Sequence, residues 1–410
     1  MKGLHVIMRT THKDNDTLRL NLLEHIVRCP LFRSRGRHHP LLFITSVILI
    51  LSMLVGCGPR MESVETVDYT PLRRDDWKVS TPEEQGLDPA LVAKLYLNAV
   101  DLDTLYGLLV IKNGYLIAEG YFNGGSVGQQ VALASVTKSY TSALVGIALQ
   151  QGFLTSLDQK MIDFFPEFAA QITDPRKEQI TIGQVLKMRS GYPWEEFTPG
   201  SLDLLLSNNN WLPRMVDFAL TSDPGTAFGY SNLTAHLLAV IVARACGTDL
   251  RTYAEQHLFA PIDVQVGHWP IDANGYYYGS GDISFTARDT AKFGLLYLNH
   301  GEYEGNQVLP ADWVRDSLQR YSEDLYDNRL GRYFRDIGYG YLWWSARAGN
   351  HHFDYAWGHG GNLVILLHEL NMVIVTTANP LHGVWGEEAW EKEGAIIDLV
   401  GRFIASLPAE

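Results

Sequence analysis

Two pairs of apolar runs near opposite ends of the chain place the tightest constraint on its fold. The first pair, residues 104–122, surrounds Asn113-Gly114, a dipeptide that favours a hairpin because both turn positions need positive φ. The second pair, NLVILL (362–367) and MVIVTTA (372–378), is joined by residues 368–371, which suit another hairpin. Strands from both ends can share one antiparallel sheet only if the residues between them form an insertion.

Helix signals flank these strands. Asp88-Pro89 suits a helix start, with an N-cap acceptor followed by proline at the first helical position. Thr286 and Asp289 form a capping-box pattern that predicts a helix from Ala287. The predicted element order is therefore a helix, a hairpin, a helix-rich interior, further strands and a final helix.

Three other segments complete the predicted order. Apolar residues at helical spacing in EGAIIDLVGRFIASL (393–407) predict a closing helix. GYGYLWW (338–344) is interpreted as a strand. Residues 153–270 are richer in helices and loops, so this range is predicted to be the insertion.

The charge distribution excludes one class of partner. Residues 1–57 carry eight Lys/Arg against three Asp/Glu, whereas the remainder carries 25 against 43. A nucleic-acid-binding surface needs a basic patch, so the acidic body argues against DNA or RNA as a partner. The sequence leaves the oligomeric state open.

The N-terminal residues have the order of an export signal. A basic segment (28–40) precedes the uncharged run 41–56, which is shorter than the ~20 residues that span a bilayer. The run ends in Leu54-Val55-Gly56-Cys57, which resembles the lipobox of bacterial lipoproteins. That resemblance implies cleavage before Cys57 and a lipid on its sulfur; an uncleaved signal anchor is the alternative.

These features predict the organisation of the whole chain. We expect a signal peptide with a lipobox over 1–57, a polar tether over 58–76 and one folded domain over 77–405. The predicted location is that of an exported lipoprotein, anchored to a membrane and facing the periplasm or the cell exterior.

The stretch ALASVTKSYTSALVG (132–146) contains the first candidate catalytic residues. Ser135 and Lys138 would lie on one helix face, with β-carbons about 5–6 Å apart. Serine is a poor nucleophile without an adjacent base. A lysine among apolar neighbours binds its proton less tightly, because burial disfavours the charged form, so it could accept the serine proton. The alternative is a serine N-cap beside a lysine that reaches solvent.

Two later motifs favour the catalytic interpretation. FGYSNLTAHLL places Tyr230 and Asn232 just before a helix, and WGHGGN places His359 and Gly361 before the strand at 362. With Ser135-x-x-Lys138, these resemble, in order, the S-x-x-K, Y-x-N and K/H-x-G motifs of the serine β-lactamase and penicillin-binding-protein superfamily. The resemblance is to its class C-like branch, which also holds esterases, D-amino-acid peptidases and 6-aminohexanoate-dimer hydrolases.

The resemblance implies a fold and a role for each residue. The implied fold is α/β (α+β): an antiparallel sheet flanked by helices, with an inserted, mostly helical domain, as in β-lactamases and transpeptidases. Ser135 would be the acylated nucleophile and Lys138 its activating partner. Tyr230 would be the second proton carrier, and Asn232 would orient the substrate or the lysine.

The resemblance also places the oxyanion between the backbone N–H groups of Ser135 and Asn362, after His359-Gly360-Gly361. Which of Lys138 and Tyr230 takes the first proton stays open, since the two would titrate as a coupled pair.

The third motif departs from the β-lactamase pattern. Those enzymes usually have lysine where this chain has His359, whose reference pKa of about 6.5 leaves it nearly neutral at pH 7. We therefore predict an esterase or amidase acting on a small-molecule or peptide substrate. The alternatives are a β-lactamase, a D-amino-acid peptidase acting on cell-wall peptides, or a catalytically idle penicillin-binding-like protein.

Other signals carry less weight. Gly124-Gly125-Ser126-Val127-Gly128 matches the G-x-S-x-G nucleophile elbow, but it lies in a glycine-rich loop rather than between a buried strand and a helix. Cys246 closes a helical pattern before Gly247 and is interpreted as a small core residue. His351-His352 has no third ligand at metal-site spacing, so no metal and no other cofactor is predicted.

Overall fold

Residues 67–409 are described here from a computed structural model. The predicted signal peptide, Cys57 and the first part of the predicted tether lie outside this range. The remaining part of that tether, 67–76, lies against the domain. The Leu72 amide donates to Glu119 at 2.9 Å, and the Arg288 guanidinium donates to the Leu72 carbonyl at 2.6 Å.

The strands, in chain order, are β1 (Leu105–Lys112), β2 (Tyr115–Tyr121), β3 (Val131–Ala132), β4 (Ser284–Phe285), β5 (Glu302–Tyr303), β6 (Asn306–Gln307), β7 (Arg329–Leu330), β8 (Phe334–Tyr339), β9 (Trp344–Ala348), β10 (His351–Gly358), β11 (Asn362–Leu367) and β12 (Met372–Ala378). Within the described range, eight of them form one antiparallel sheet in the order β2-β1-β12-β11-β10-β9-β8-β7. The prediction that both ends of the chain share one sheet is confirmed.

The two predicted turns lie side by side at one end of the sheet, where the Asn113 N–H donates to the Asn371 carbonyl at 2.9 Å. Asn113 and Gly114 both have positive φ, 53° and 78°, and Asn371 at the second turn has φ of 45°. In the β1–β12 pair, Leu109 lies opposite Val375, a residue 266 positions later in the chain. Both β11 and β12 are buried along their whole length, as expected for central strands covered on two faces.

The α-helices, in chain order, are α1 (Pro89–Ala99), α2 (Thr137–Gln150), α3 (Pro166–Ala169), α4 (Ile182–Leu186), α5 (Ser201–Leu206), α6 (Arg214–Asp217), α7 (Asn232–Cys246), α8 (Leu250–Ala254), α9 (Ala287–Leu298), α10 (Ala311–Ser317) and α11 (Glu387–Ser406). The predicted starts of α1 and α9 are confirmed: Asp88 and Thr286 cap these helices through their side chains. The closing helix is confirmed and begins earlier than predicted.

The helical insertion lies between the short strands β3 and β4, which pair with each other. Helices α2 to α8 fall in this interval, with irregular segments between them. Among the described residues no single helix is long and apolar enough to span a membrane. One bent pair of helices in that range, Asn232–Cys246 with Leu250–Ile262, passes the same test on length and composition alone.

The strand predicted at 338–344 is wrong in its centre. The chain leaves β8 after Tyr339 and enters β9 at Trp344, and the residues between them form a reverse turn. Leu342 has φ of 58°, and a Cβ on Gly340 would clash with the Ser317 carbonyl. The apolar run is therefore a buried turn that packs on α10, where period-based reasoning expects a continuous strand.

Candidate active site

Ser135 and Lys138 lie where a tight turn feeds into the buried helix α2. Ala134–Val136 form a 3-10 turn and α2 begins at Thr137, so Ser135 precedes the α-helix by two residues. Ala134 has φ of 46°, a conformation that non-glycine residues adopt rarely and that clusters at functional sites. The Lys138 Nζ lies 2.8 Å from the Ser135 Oγ, as the spacing predicts.

Lys138 is buried, with 1% of its surface exposed. Its Nζ also lies 2.8 Å from the Asn232 Oδ1 and 2.7 Å from the Ser280 carbonyl oxygen, two groups that can only accept. Burial lowers the pKa of Lys138 to about 8, although Glu196, Glu195 and Asp282 oppose the shift. A neutral amine would donate its two N–H groups to the two acceptors and direct its lone pair at the Ser135 hydroxyl.

Tyr230, from the second motif, lies next to Lys138. Its ring centroid lies 4.8 Å from the Lys138 Nζ. Burial raises the pKa of Tyr230 well above 10, the Glu196 carboxylate raises it further, and a hydrogen bond with Ser135 opposes both effects. The phenol therefore keeps its proton at neutral pH, beside a lysine whose proton is held loosely.

Two adjacent glutamates hold the second motif in place. Glu195 accepts hydrogen bonds from the Ser231 Oγ at 2.8 Å and from the Asn232 backbone N–H at 2.9 Å, at the start of α7. Burial raises the pKa of Glu195 to about 7. Glu196 accepts from the Asn232 Nδ2 at 3.0 Å, which directs the amide oxygen of Asn232 toward Lys138. Sequence reasoning missed both, since they lie far from the motif along the chain.

The third motif is organised by a carboxylate from the last helix. The His359 Nδ1 lies 2.9 Å from the Glu393 Oε2, and its Nε2 lies 2.9 Å from the Val384 carbonyl oxygen. Glu393 also accepts from the Gly360 N–H at 2.8 Å and from the Trp357 indole. No local sequence signal connects Glu393 with the glycine turn.

The pKa of His359 is shifted upward from the reference value on which the expectation of a nearly neutral ring was based. The two ring nitrogens each lie 2.9 Å from an oxygen atom of Glu393 or Val384, an arrangement that favours a proton on both nitrogens. Burial lowers the pKa of His359, but Glu393 outweighs burial and the net shift is upward. The expectation used the reference pKa of an isolated histidine and did not include the Glu393 carboxylate, which raises the pKa. The charge is nevertheless compensated, because Glu393 pairs with it.

The glycine turn brings the third motif against the nucleophile. A Cβ on Gly358 would clash with the Leu133 carbonyl and would lie 3.2 Å from the Ser135 backbone nitrogen. Gly361 has φ of 92° and packs on the last helix. The Asn362 side chain points inward: its Nδ2 donates to the His359 carbonyl and its Oδ1 accepts from the Ala378 N–H, each at 2.9 Å.

Ser135 lies at the junction of two cavities. One, of about 180 Å³, is lined by Tyr230 and other aromatic side chains; the second, of about 280 Å³, is lined by Asn232, Asp282 and apolar residues of α5. Ser135, Glu196, His359 and Trp385 border both cavities. One cleft therefore passes across the hydroxyl, with different chemistry on its two sides.

The other candidates from the sequence lie apart from this cleft. Ser126 is exposed in a surface loop after β2, without the strand–turn–helix geometry of a nucleophile elbow. Cys246 ends α7 half-buried, and burial raises the pKa of its thiol to about 11. Over residues 67–409, no group of His, Cys, Asp and Glu side chains is arranged to hold a metal ion.

Fold and site together define the β-lactamase and penicillin-binding-protein class: an antiparallel sheet, a helical insertion, and three motifs meeting at one cleft. The Beta-lactamase family model matches residues 106–396, which is most of the chain. The chain belongs to the Beta-lactamase family.

Individual relatives are distant. The 6-aminohexanoate-dimer hydrolase of Paenarthrobacter ureafaciens is 26% identical over 253 residues, which cover 58% of this chain and 63% of that relative. Beta-lactamase-like protein 2 of Dictyostelium discoideum is 21% identical, over 48% of this chain and 40% of its own length. The chain thus spans less than two thirds of these relatives.

Solved structures share the fold. EstCE1, described as a hydrolase with promiscuous acyltransferase activity, has a TM-score of 0.60 at 15% identity and covers 75% of this chain and 98% of its own. The octameric penicillin-binding protein homologue from Pyrococcus abyssi has a TM-score of 0.53 at 18% identity, covering 71% and 72%. The predicted superfamily and fold class are confirmed.

Proposed function

We propose that this chain is a serine hydrolase that cleaves an ester or amide through an acyl-enzyme on Ser135. The observation that carries the proposal is the position of the Lys138 Nζ, buried and 2.8 Å from the Ser135 Oγ, with a pKa lowered to about 8. Two similar proteins, the 6-aminohexanoate-dimer hydrolase and EstCE1, are described as hydrolases, which also supports the proposal.

Acylation begins with the Ser135 proton. Neutral Lys138 takes this proton while the Ser135 oxygen attacks the substrate carbonyl carbon, forming a tetrahedral oxyanion. Lys138 is the first base in this scheme, because the pKa of Tyr230 lies well above 10 and its phenolate is scarce at neutral pH. General-base help of this kind contributes about 10²–10⁴-fold to rate.

Collapse of the intermediate requires a proton on the departing oxygen or nitrogen. Tyr230 donates its hydroxyl proton to the leaving group and recovers one from the Lys138 ammonium, so the alcohol or amine departs neutral. Water then attacks the acyl-enzyme, and the same two groups return Ser135 to its starting state. Atoms and protons balance over the cycle, with water as the co-substrate.

The oxyanion is stabilised by backbone donors in the proposed scheme. The N–H groups of Ser135 and Asn362 are the candidates, and the close approach of Gly358 to the Ser135 nitrogen supports a shared pocket there. Loss of one such donor typically costs about 3–4 kcal/mol of barrier. The buried Asn362 side chain would hold the turn that presents its N–H.

The cleft charge favours esters and amides without a carboxylate beside the scissile bond. Glu393 compensates His359, and Glu196 and Asp282 add negative charge near Ser135. An anionic β-lactam would find no unpaired cation among these groups once Lys138 is neutral. We therefore rank β-lactamase and D-amino-acid peptidase activity below esterase activity.

A labelling experiment tests the proposal. Wild-type protein should react covalently with a fluorophosphonate probe, Ser135→Ala should not react, and the exposed-loop variant Ser126→Ala should react as wild type does. Labelling that survives Ser135→Ala would refute the assignment of the nucleophile. A wild-type chain that takes up neither this probe nor a fluorescent penicillin would support an idle binding protein instead.

Substrate ranking needs a second assay. Turnover of p-nitrophenyl esters should exceed turnover of nitrocefin and of D-Ala-D-Ala peptides. Nitrocefin turnover above that of the esters would overturn the ranking and favour a β-lactamase.

We also propose that the protein is an exported lipoprotein held by lipid on Cys57. The support is the order of basic, apolar and small residues before that cysteine. Cys57→Ser should release the protein from membranes on fractionation. Continued retention of that variant in the membrane fraction would favour an uncleaved signal anchor.

A further inference from the structure

The cavity beside Tyr230 has an aromatic lining that catalysis by itself does not require. Six aromatic side chains contribute to it: Tyr230, Tyr326, Trp344, Trp357, Trp385 and Trp390. Three of them form a continuous wall, because Tyr326, Trp344 and Trp357 have ring centroids 5.6–5.8 Å apart in each pairing. Trp385 and Trp390 come from the segment after β12 and from α11.

These last two tryptophans keep unusually large exposed faces. Trp385 is 48% exposed and Trp390 is 40% exposed, although large apolar side chains are normally buried. Trp385 stacks on the His359 ring with centroids 4.7 Å apart. The exposed aromatic area therefore borders the cleft itself, where an apolar group of a substrate could cover it.

The position of the cavity identifies which part of a substrate it faces. In the proposed reaction Tyr230 protonates the departing atom, so the leaving group must lie on the Tyr230 side of Ser135. Of the two cavities described at Ser135, Tyr230 lines the aromatic one, whereas Asn232 lines the second. The aromatic cavity is then the leaving-group side, and the second cavity receives the acyl group.

The charges around the aromatic cavity disfavour an anionic occupant. Its charged lining groups are Glu196, Glu393 and His359, and the last two neutralise each other. A carboxylate placed there would meet the Glu196 carboxylate and aromatic faces, which repel negative charge. A flat apolar ring would meet none of these penalties.

We propose that the aromatic cavity binds an uncharged, ring-bearing leaving group, so that the preferred substrates are esters of apolar aryl-alkyl alcohols. This inference rests on the proposed acyl-enzyme function and specifies its substrate class. In the acylation step the bond between the carbonyl carbon and the alkoxy oxygen breaks. The Ser135 proton reaches that oxygen through Lys138 and Tyr230, and the aryl-alkyl alcohol leaves from the aromatic cavity.

The test uses three esters that share an acetyl group: ethyl, benzyl and 4-carboxybenzyl acetate. Acetate release in a pH-stat gives kcat/KM, and hydroxide-catalysed hydrolysis of each ester normalises its intrinsic reactivity. We expect normalised kcat/KM for benzyl acetate to exceed that for ethyl acetate at least about tenfold. We expect 4-carboxybenzyl acetate to fall below benzyl acetate.

Variants locate the effect. Trp390→Ala should lower the benzyl-to-ethyl ratio at least about threefold, and Trp390→Phe should retain most of it, since an aromatic face remains. Phe153→Ala removes a similarly exposed aromatic ring outside the cavity lining and should leave the ratio unchanged. Trp390 is an exposed side chain, and circular dichroism verifies that both of its variants fold.

The outcomes distinguish a failure of the leaving-group assignment from a failure of the proposed acyl-enzyme function. A normalised ratio near one, a preference for the carboxylated ester, or a ratio unaffected by Trp390→Ala would overturn the leaving-group assignment. If ethyl acetate hydrolysis still depends on Ser135 in that case, the acyl-enzyme proposal stands alone. Ethyl acetate hydrolysis that survives Ser135→Ala would overturn the proposed function itself.

Discussion

Lys138 and His359 are two nitrogen bases in one cleft, and their surroundings shift their pKa values in opposite directions. The Lys138 Nζ contacts a serine hydroxyl, an amide oxygen and a backbone carbonyl, all uncharged. Burial therefore dominates, and the pKa of Lys138 falls to about 8. The His359 Nδ1 lies 2.9 Å from the Glu393 carboxylate, whose charge outweighs burial and raises the pKa of His359. The two bases differ in both respects: Lys138 is 1% exposed with uncharged partners, whereas the His359 side chain is 23% exposed and contacts a carboxylate. The comparison teaches that burial and the contacting partner together decide whether such a base keeps its proton.

The difference also separates two tasks. A base that releases its proton near neutral pH can cycle protons during catalysis, as we propose for Lys138. A base that keeps its proton in a pair serves as a fixed donor, and His359 holds Glu393 and the Val384 carbonyl in this way. Substitutions at the two sites should therefore fail in different ways.

The largest expected effect comes from removing the proton acceptor. Lys138→Met fills a similar volume without a base, and we expect kcat/KM for a neutral ester to fall about 10²–10⁴-fold. Folding should survive, because burying an apolar side chain there avoids an amine desolvation cost. Steady-state kinetics with thermal unfolding checks this; a variant within about tenfold of wild type would show that Lys138 is not the base.

A smaller effect, mainly on stability, is expected at the paired site. Glu393→Gln removes the carboxylate that keeps His359 charged, and breaking a buried pair costs about 3 kcal/mol. The folded-state pKa of His359 is raised, so its linked stabilisation is complete below the unfolded pKa and is lost as pH rises through the folded pKa.

Thermal unfolding across pH measures that loss. The difference in Tm between wild type and Glu393→Gln should be largest in mild acid and should shrink toward alkaline pH. A difference that grows with pH would contradict the charge assigned to the pair.

The smallest expected effect comes from removing the charge of Glu196, a carboxylate that raises the pKa of Lys138. Glu196 raises the pKa of Lys138 through its charge, so Glu196→Gln should move the acid limb of the kcat/KM profile toward lower pH. The control Glu178→Gln changes an exposed glutamate of the same insertion and should leave the profile in place. A shift toward higher pH in Glu196→Gln would contradict the electrostatic account.

The sequence predicted those parts of the molecule whose signals are local. The turn at Asn113-Gly114, the caps at Asp88 and Thr286, and the spacing of Ser135 and Lys138 each act within a few residues. The predicted residues Ser135, Lys138, Tyr230 and Asn232 meet in the structure, and His359 lies at the same cleft. Local chemistry is enough to place the turn, the caps and the pair Ser135 and Lys138, whereas the meeting of Tyr230, Asn232 and His359 with that pair was implied by the family resemblance.

Features set by tertiary contact escaped prediction. The apolar run at 338–344 turns because Gly340 and Leu342 pack against α10 and α4, which no period in the run reveals. Glu393 contacts His359 from 34 positions away, and that contact raises the pKa of the ring. The aromatic cavity likewise gathers tryptophans from β9, β10 and α11.

The central claim is that Lys138 loses its proton near neutral pH and then takes the proton of Ser135. The most direct measurement is the second-order rate of Ser135 labelling by an uncharged fluorophosphonate, followed from about pH 6 to pH 10. The account predicts a rate that rises about tenfold per pH unit at the acid end and levels off above a midpoint near pH 8. A rate that is flat across this range would show that no such titration governs the nucleophile and would contradict the account.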